Sequence, residues 1–138
     1  MAAFNNTGAL EAYIKSALNI AMKNVCEIMA DKLSQHIQAD YYDEYSPRIY
    51  KRTYQFLDSV VYNMLGSGYG EVFVNTGSMN YEDATGRYVA DLASMGLHGN
   101  PGIQTSGRFF DSFLDECNKA FIINQLKIEL GKQGIKVI

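Results

Sequence analysis

The side chains best suited to acid–base chemistry occur in this sequence as pairs of acidic neighbours. The pairs are Asp43 with Glu44, Glu82 with Asp83, and Asp115 with Glu116. Carboxyl groups that share one reaction must converge on one bond, whereas consecutive residues of a helix do not face each other. We therefore interpret the pairs as solvated turns and helix faces.

The residue types of a nucleophilic triad occur close together at Asp91, Ser94 and His98. A triad serine of the hydrolase type lies on a sharp turn built by a Gly-x-Ser-x-Gly sequence, which this chain lacks. A single histidine in a glycine-rich loop more commonly faces solvent. A small hydrolase that uses His98 remains as a third hypothesis, but the prediction is that the chain is not an enzyme.

The chain has two cysteines, Cys26 and Cys117, and two histidines, His36 and His98. No zinc-ligand spacing can be drawn from them, and we predict no metal. Cys26 and His36 are ten helical residues apart, about 15 Å, which is too far for a thiolate pair. Pairing of Cys117 with either histidine is left open. We expect two reduced thiols rather than a disulfide scaffold.

A glycine-rich stretch over residues 66–70 invites comparison with phosphate-binding loops. The P-loop's Gly-Lys-Ser/Thr ending is missing, and residues that favour strands follow these glycines where a dinucleotide site would have a helix. The stretch is better explained as a hairpin turn, and we predict no cofactor.

The densest feature of the sequence is residues 41–54, where five tyrosines and three basic residues lie within fourteen positions. Tyrosine and arginine are enriched in protein interfaces. Two interpretations remain open: the segment braces its own subunit, or it contacts a neighbouring one. Its candidate residues are Tyr41, Tyr42, Tyr45, Pro47, Arg48, Tyr50, Arg52, Thr53 and Tyr54.

These residues follow a long segment, 8–40, in which apolar residues recur every three or four positions. That period predicts one amphipathic helix. At about 1.5 Å per residue it is long for so small a domain, and it must bend, break or meet another subunit. A break near Asn24 or Asp31 is the alternative.

The rest of the chain predicts a hairpin, a short helix, a second long helix and a final strand; Gln55 to Asp58 fits either a helix or the approach to a strand. The predicted bounds are 59–75, 87–95, 106–131 and 135–138. We thus predict a single α+β domain over 1–138, in which the long N-terminal helix and a small antiparallel sheet, made of the hairpin and the C-terminal strand, are packed by the second long helix.

Composition excludes several classes of function. The net charge of −3 gives no general basic field for a phosphate backbone, so we expect no non-specific binding of DNA or RNA by the whole surface, although a local basic patch on an oligomer stays open. We expect no sequence-specific nucleic-acid partner. No apolar run approaches the roughly 20 residues that span a bilayer, and we expect no membrane association. The first residues lack the basic start and apolar centre of a signal peptide, so none is expected.

The tyrosine segment also carries a resemblance. Tyr-Tyr-x-x-Tyr-Ser-Pro-x-x-Tyr-x-Arg-Thr-Tyr-x-Phe-Leu-x-Ser, residues 41–59, is similar to a pattern in the head–tail joining or tail-completion proteins of long-tailed bacteriophages. The stretch from Arg87 to Gly99, Gly107-Arg108-Phe109-Phe110 and Gly134-Ile135-Lys136-Val137 resemble later parts of that family. Asp91-Leu92 and Met95-Gly96-Leu97 depart from its Val-Glu and Gly-Thr positions.

The resemblance implies a non-catalytic, ring-forming virion protein of the phage neck or tail. Its partners would be copies of itself, the portal or adaptor, and tail-tube proteins, with DNA passing through the ring. It would be made in the host cytoplasm. The alternative hypothesis is a small binding module for a host protein or single-stranded nucleic acid, with bases stacked between the tyrosines and Arg48, Lys51 and Arg52.

Overall fold

The computed structural model describes residues 4–44, 53–82, 84–97, 105 and 107–138. Within these ranges the chain is mostly helical, with a long N-terminal helix and one two-stranded antiparallel sheet. The predicted α+β class is therefore confirmed. No described helix is both long and apolar enough to cross a membrane.

The N-terminal helix, α1, runs without interruption over Thr7–Ile37. The side chain of Asn6 caps its start by accepting a hydrogen bond from the Ala9 amide. A π-helical turn, Gln38–Tyr42, continues it, and the Asp43 amide closes that turn on the Gln38 carbonyl at 2.8 Å. The alternative break near Asn24 or Asp31 does not occur.

A short helix, α2, occupies Gln55–Asp58 and leads into the hairpin of β1, Val60–Gly66, and β2, Tyr69–Val74. Apart from Gly66, the even-numbered residues of both strands are partly buried, whereas most odd-numbered ones are exposed. This alternation of period two is typical of a hairpin with one covered face. Gly68 in the turn has φ +72°, a conformation that favours glycine.

Helix α3 spans Gly86–Ser94, and the Thr85 hydroxyl caps it by accepting a hydrogen bond from the Tyr88 amide at 3.2 Å. It ends before Gly96, whose φ is +77°. A Cβ on Gly96 would lie 2.0 Å from the Thr105 carbonyl oxygen, so only glycine fits this close approach.

The predicted second long helix, 106–131, is wrong as a single element. The structure has two helices, α4 over Phe109–Glu116 and α5 over Lys119–Lys132. Asn118 starts the second one with extended backbone, and its side chain accepts a hydrogen bond from the Phe121 amide at 3.0 Å. An asparagine cap competes with helix continuation, which explains the break.

The predicted final strand, 135–138, is also wrong, since those residues form no regular structure and the described sheet has two strands. After α5 the chain turns at Gly134, where φ is +84°, and the Ile135 amide donates to the Leu130 carbonyl. This is a Schellman-type end, in which Ile135 returns to pack against the core.

Contacts divide the described residues into two compact units. The terminal unit comprises Met1–Met29, Tyr62–Val72 and Cys117–Ile138, and the central unit comprises Ala30–Val61 and Phe73–Glu116. The terminal unit buries Ala17, Ala21 and Leu130, with Leu18, Leu126 and Ile135 packed against them. The prediction of a single domain over 1–138 stays a prediction.

Candidate functional site

Four aromatic side chains, Tyr41, Tyr42, Phe56 and Phe109, form the aromatic cluster of the central unit. The Tyr41 ring contacts the other three edge-on, with ring centroids 5.1 to 6.1 Å apart. Phe56 and Phe109 contact each other at 5.4 Å and are almost fully buried. Edge-to-face pairs of this kind add stability beyond area burial.

The π-helical turn places the first two tyrosines of the candidate segment in this cluster. Tyr42 is 7 % exposed, and the Tyr41 hydroxyl donates to the Leu97 carbonyl at 3.1 Å. Both rings thus pack within the central unit, as bracing residues would. Because α1 and its π turn bring these rings inward, the segment joins the long helix to the interior of this unit.

The end of the candidate segment is different. Thr53 is exposed, and Tyr54 is 42 % exposed while its ring packs on Tyr42 with centroids 4.9 Å apart. Tyr54 has φ +58°, a left-handed conformation that bulky residues rarely adopt. The Tyr54 ring therefore packs on Tyr42 with one part of its surface and is exposed on the rest.

The other candidate residues of the segment lie outside the described residues: Tyr45, Pro47, Arg48, Tyr50 and Arg52. So does Lys51, on which the nucleic-acid alternative also relied. Whether the segment as a whole contacts a neighbouring subunit stays a prediction.

A charge cluster that sequence reasoning missed links α1 to α4 inside the central unit. Lys32 Nζ lies 2.8 Å from Glu116 Oε1, and His36 Nε2 lies 2.9 Å from Glu116 Oε2. His36 Nδ1 is 3.4 Å from Asp40 Oδ2. The signal was present in the sequence, because Lys32, His36 and Asp40 follow one another at four-residue steps and so share a helix face.

This cluster is built to hold charge rather than to transfer protons. Hydrogen bonds from Lys32 and then His36 lower the pKa of Glu116 below its usual value. Glu116 therefore stays anionic at neutral pH and is a poor general acid. Its evident role is to tie α4 to the last turns of α1.

The hydroxyl and the thiols considered for catalysis, those of Ser94, Cys26 and Cys117, are engaged or buried in the described structure. The Ser94 hydroxyl donates to the Asp91 carbonyl of its own helix at 2.7 Å, and His98 lies outside the described residues. Cys26 and Cys117 are both buried free thiols, and burial raises the pKa of Cys26. Within the described ranges, no group of three His, Cys, Asp or Glu residues is arranged to hold a metal ion.

The terminal unit presents many large apolar side chains to the surface. On α1, Leu10 and Ile14 are 41 % and 46 % exposed and lie one turn apart. Other exposed apolar side chains of this unit are Ile20, Leu65, Tyr69, Ile123, Ile128, Val137 and Ile138. Patches of exposed apolar side chains commonly mark interaction surfaces.

The family model named YomN matches residues 6–136, and the chain belongs to that family. The name is that of a family derived from a Bacillus phage, which suggests a phage origin for this chain. No curated protein and no solved structure matched the chain.

Proposed function

We propose that this chain is a structural virion component that forms a ring at the phage neck or tail, in head–tail joining or in tail completion or termination. Its partners are copies of itself and the neighbouring portal or adaptor and tail-tube proteins, and DNA passes through the ring. It is made in the host bacterial cytoplasm and acts by assembly rather than catalysis. Membership of the YomN family supports the phage origin on which this proposal depends.

The observation that carries the proposal is the exposed start of α1. From Thr7 to Ser16 each residue except Tyr13 is exposed in the described structure. Tyr13 is held by the Phe4 ring, 5.0 Å away, and by a short hydrogen bond to the Gln133 carbonyl. Tyr13 is thus the residue of this stretch that packs on its own unit, while Leu10 and Ile14 are exposed.

The exposed start of α1 gains little stability from packing, because most helical stability in proteins comes from burial of an apolar helix face. Burying a leucine or isoleucine side chain contributes roughly 1.5–3 kcal/mol. A neighbouring subunit that covered Leu10 and Ile14 would therefore stabilise both the helix and the assembly. A ring allows this, because each subunit offers one face and receives a different one.

The aromatic cluster separates residues that brace the subunit from residues that are available to contact a neighbouring subunit. Tyr41 and Tyr42 brace the central unit, which leaves subunit contact to side chains that the unit does not bury. Tyr54 is one of these, since it is 42 % exposed while its ring packs on Tyr42. A preorganised aromatic side chain loses little conformational entropy when it is buried by a partner.

The test is the solution mass of the purified chain by light scattering over a concentration series. We expect the wild-type chain to form a closed oligomer and the double variant Leu10→Gln/Ile14→Gln to remain monomeric with an unchanged circular dichroism spectrum. Tyr88→Gln, which replaces a 57 % exposed side chain in the central unit, is the matched control and should assemble normally.

Two outcomes would contradict the proposal. A wild-type chain that stays monomeric at every concentration, and that also fails to incorporate into neck or tail assemblies containing its phage partners, is not a ring component. Salt-dependent binding to a single-stranded oligonucleotide by such a monomer would support the alternative of a small binding module.

A further inference from the structure

Helix α4 presents an apolar and acidic outer face. Phe109 and Phe113 are buried, whereas Phe110 and Leu114, four residues apart, are 36 % and 62 % exposed. Asp111 directly follows Phe110, and Asp115 directly follows Leu114. Both are exposed, and they form an acidic row beside the apolar one. The helix contains three acidic residues and no basic one.

Helix α5 presents an apolar and basic outer face. Lys119 and Lys127 are exposed, Ile123 is 43 % exposed, and the three follow one another at four-residue steps, so they form one row. Ile128, 46 % exposed, lies beside that row. The one acidic residue of α5, Glu129, is buried and bonded to Asn24 and Lys132.

The two outer faces complement each other in charge and in apolar content. Among the described residues, the ion pairs of the subunit do not involve Asp111, Lys119 or Lys127. Across an interface, a carboxylate beside an ammonium group guides docking and excludes wrong partners, while apolar side chains supply the affinity.

We propose that the outer face of α5 in one copy docks on the outer face of α4 in the next copy. Ile123 and Ile128 pack on Phe110 and Leu114, and Lys127 pairs with Asp111. The contact joins two different faces, so it is head-to-tail and can be repeated around a ring. This inference rests on the proposed function and adds a further pair of contact surfaces to the exposed start of α1.

The chemistry of the two faces selects a second copy as the occupant. A contact between two α4 faces would place two Asp111 carboxylates close together. A contact between two α5 faces would place two Lys127 ammonium groups close together. Like charges placed opposite each other across an interface are unfavourable. The symmetric pairings are therefore disfavoured, and the alternating one is favoured.

The test is charge reversal followed by mixing. Asp111→Lys places a lysine on both sides of the 111–127 contact, and Lys127→Asp places an aspartate on both sides. Each variant alone should require at least about tenfold higher concentration to assemble. An equimolar mixture should assemble like the wild-type chain, because at positions 111 and 127 a lysine then meets an aspartate at every contact between unlike variants. Light scattering, with one variant carrying a mass tag, measures size and subunit alternation.

The mixing experiment separates this contact from general effects on folding. A variant that merely folds poorly is not rescued by another defective variant. Asp91→Lys and Lys23→Asp, which reverse charges at other exposed positions, are the matched controls and should assemble normally.

If the wild-type chain forms rings and both single variants form them equally well, the α4–α5 contact is overturned while the proposed function stands. The contact is likewise overturned if both variants fail to assemble and their mixture does not recover. If the wild-type chain never assembles, alone or with its phage partners, both proposals fail together.

Discussion

The central unit buries aromatic rings and large aliphatic side chains beside its alanines, whereas the buried side chains of the terminal unit are mostly small. Ile37, Phe56 and Phe109 are almost completely buried in the first. The second is built around Ala17 and Ala21, with Leu130 at the edge of burial. At the same time, large apolar side chains such as Leu10 and Ile14 lie at the surface of the terminal unit.

This difference indicates where each unit obtains its stability. Apolar burial contributes roughly 25 cal/mol per Å² removed from water, so a core of alanines contributes less than a core of phenylalanines. The central unit buries its largest rings, although it also exposes some large apolar side chains, among them Phe110 and Leu114. The terminal unit leaves many of them outside, which is the pattern expected of a surface that another subunit covers.

The largest effect should come from opening the aromatic cluster. Phe109→Ala removes a fully buried ring that contacts Tyr41 and Phe56, and we expect it to lower the free energy of unfolding by about 3–5 kcal/mol. Phe110→Ala, at the neighbouring and partly exposed position, is the control and should cost clearly less. Urea denaturation measures the free energy of unfolding of both variants. Equal losses would contradict the view that the buried aromatic rings stabilise this unit most.

The terminal unit should respond to the opposite change, an enlargement. Ala21 is 0 % exposed in a cluster with Ala17 and Leu130, so Ala21→Leu forces extra atoms into a filled space and should cost about 1–3 kcal/mol. Ala12→Leu adds the same atoms on the exposed start of α1 and is expected to be nearly neutral. If Ala21→Leu were tolerated without loss, the alanine core would be loosely packed.

Much of the fold could be predicted from the sequence, because the relevant signals are local. The period of α1 placed it at 8–40 against the observed Thr7–Ile37 and π turn. The glycine-rich turn located the hairpin, and Gly96 located the end of α3. Asn118 also indicates a break, since asparagine is a strong N-cap. The apolar period continues across Asn118, however, and for that reason the sequence predicted one helix.

The parts that could not be predicted depend on distant residues. Nothing in residues 135–138 indicates that the chain returns to the core at Ile135 instead of joining the sheet. The partner of Lys32 and His36 is Glu116, eighty residues from His36 along the chain, and only the fold brings them together. The inward position of Tyr41 and Tyr42 likewise follows from the π turn.

A third prediction compares the buried carboxylate of the terminal unit with a surface one. Hydrogen bonds from Lys132 and then Asn24 lower the pKa of Glu129 below its usual 4.5. As the pH falls below that value, the unfolded chain takes up the proton first, so this contribution to stability is present above about pH 4.5 and is lost on acidification.

Glu129→Gln should therefore lower stability by about 1 kcal/mol at pH 7 and flatten the acid limb of the stability curve. Glu11→Gln is the control, because Glu11 forms only a surface pair with Lys15, and such pairs contribute little. Thermal melts from pH 7 to pH 3 measure both. An unchanged acid limb in Glu129→Gln would show that this carboxylate does not hold α1 to α5.

The smallest expected effect concerns two glycines at the end of α5. A Cβ on Gly131 would meet nothing within 4 Å, so Gly131→Ala should raise the free energy of unfolding by up to about 1 kcal/mol through helix propensity. Gly134 has φ +84°, and its Cβ would lie 3.1 Å from the Tyr13 hydroxyl, so Gly134→Ala should destabilise by a similar amount. Denaturation of the monomer measures both changes in the free energy of unfolding, and we expect them to have opposite signs. That result would show that the end of α5 has room for a side chain at position 131 and none at position 134. If Gly131→Ala also weakened assembly, the open surface at position 131 would be the one that a neighbouring helix approaches.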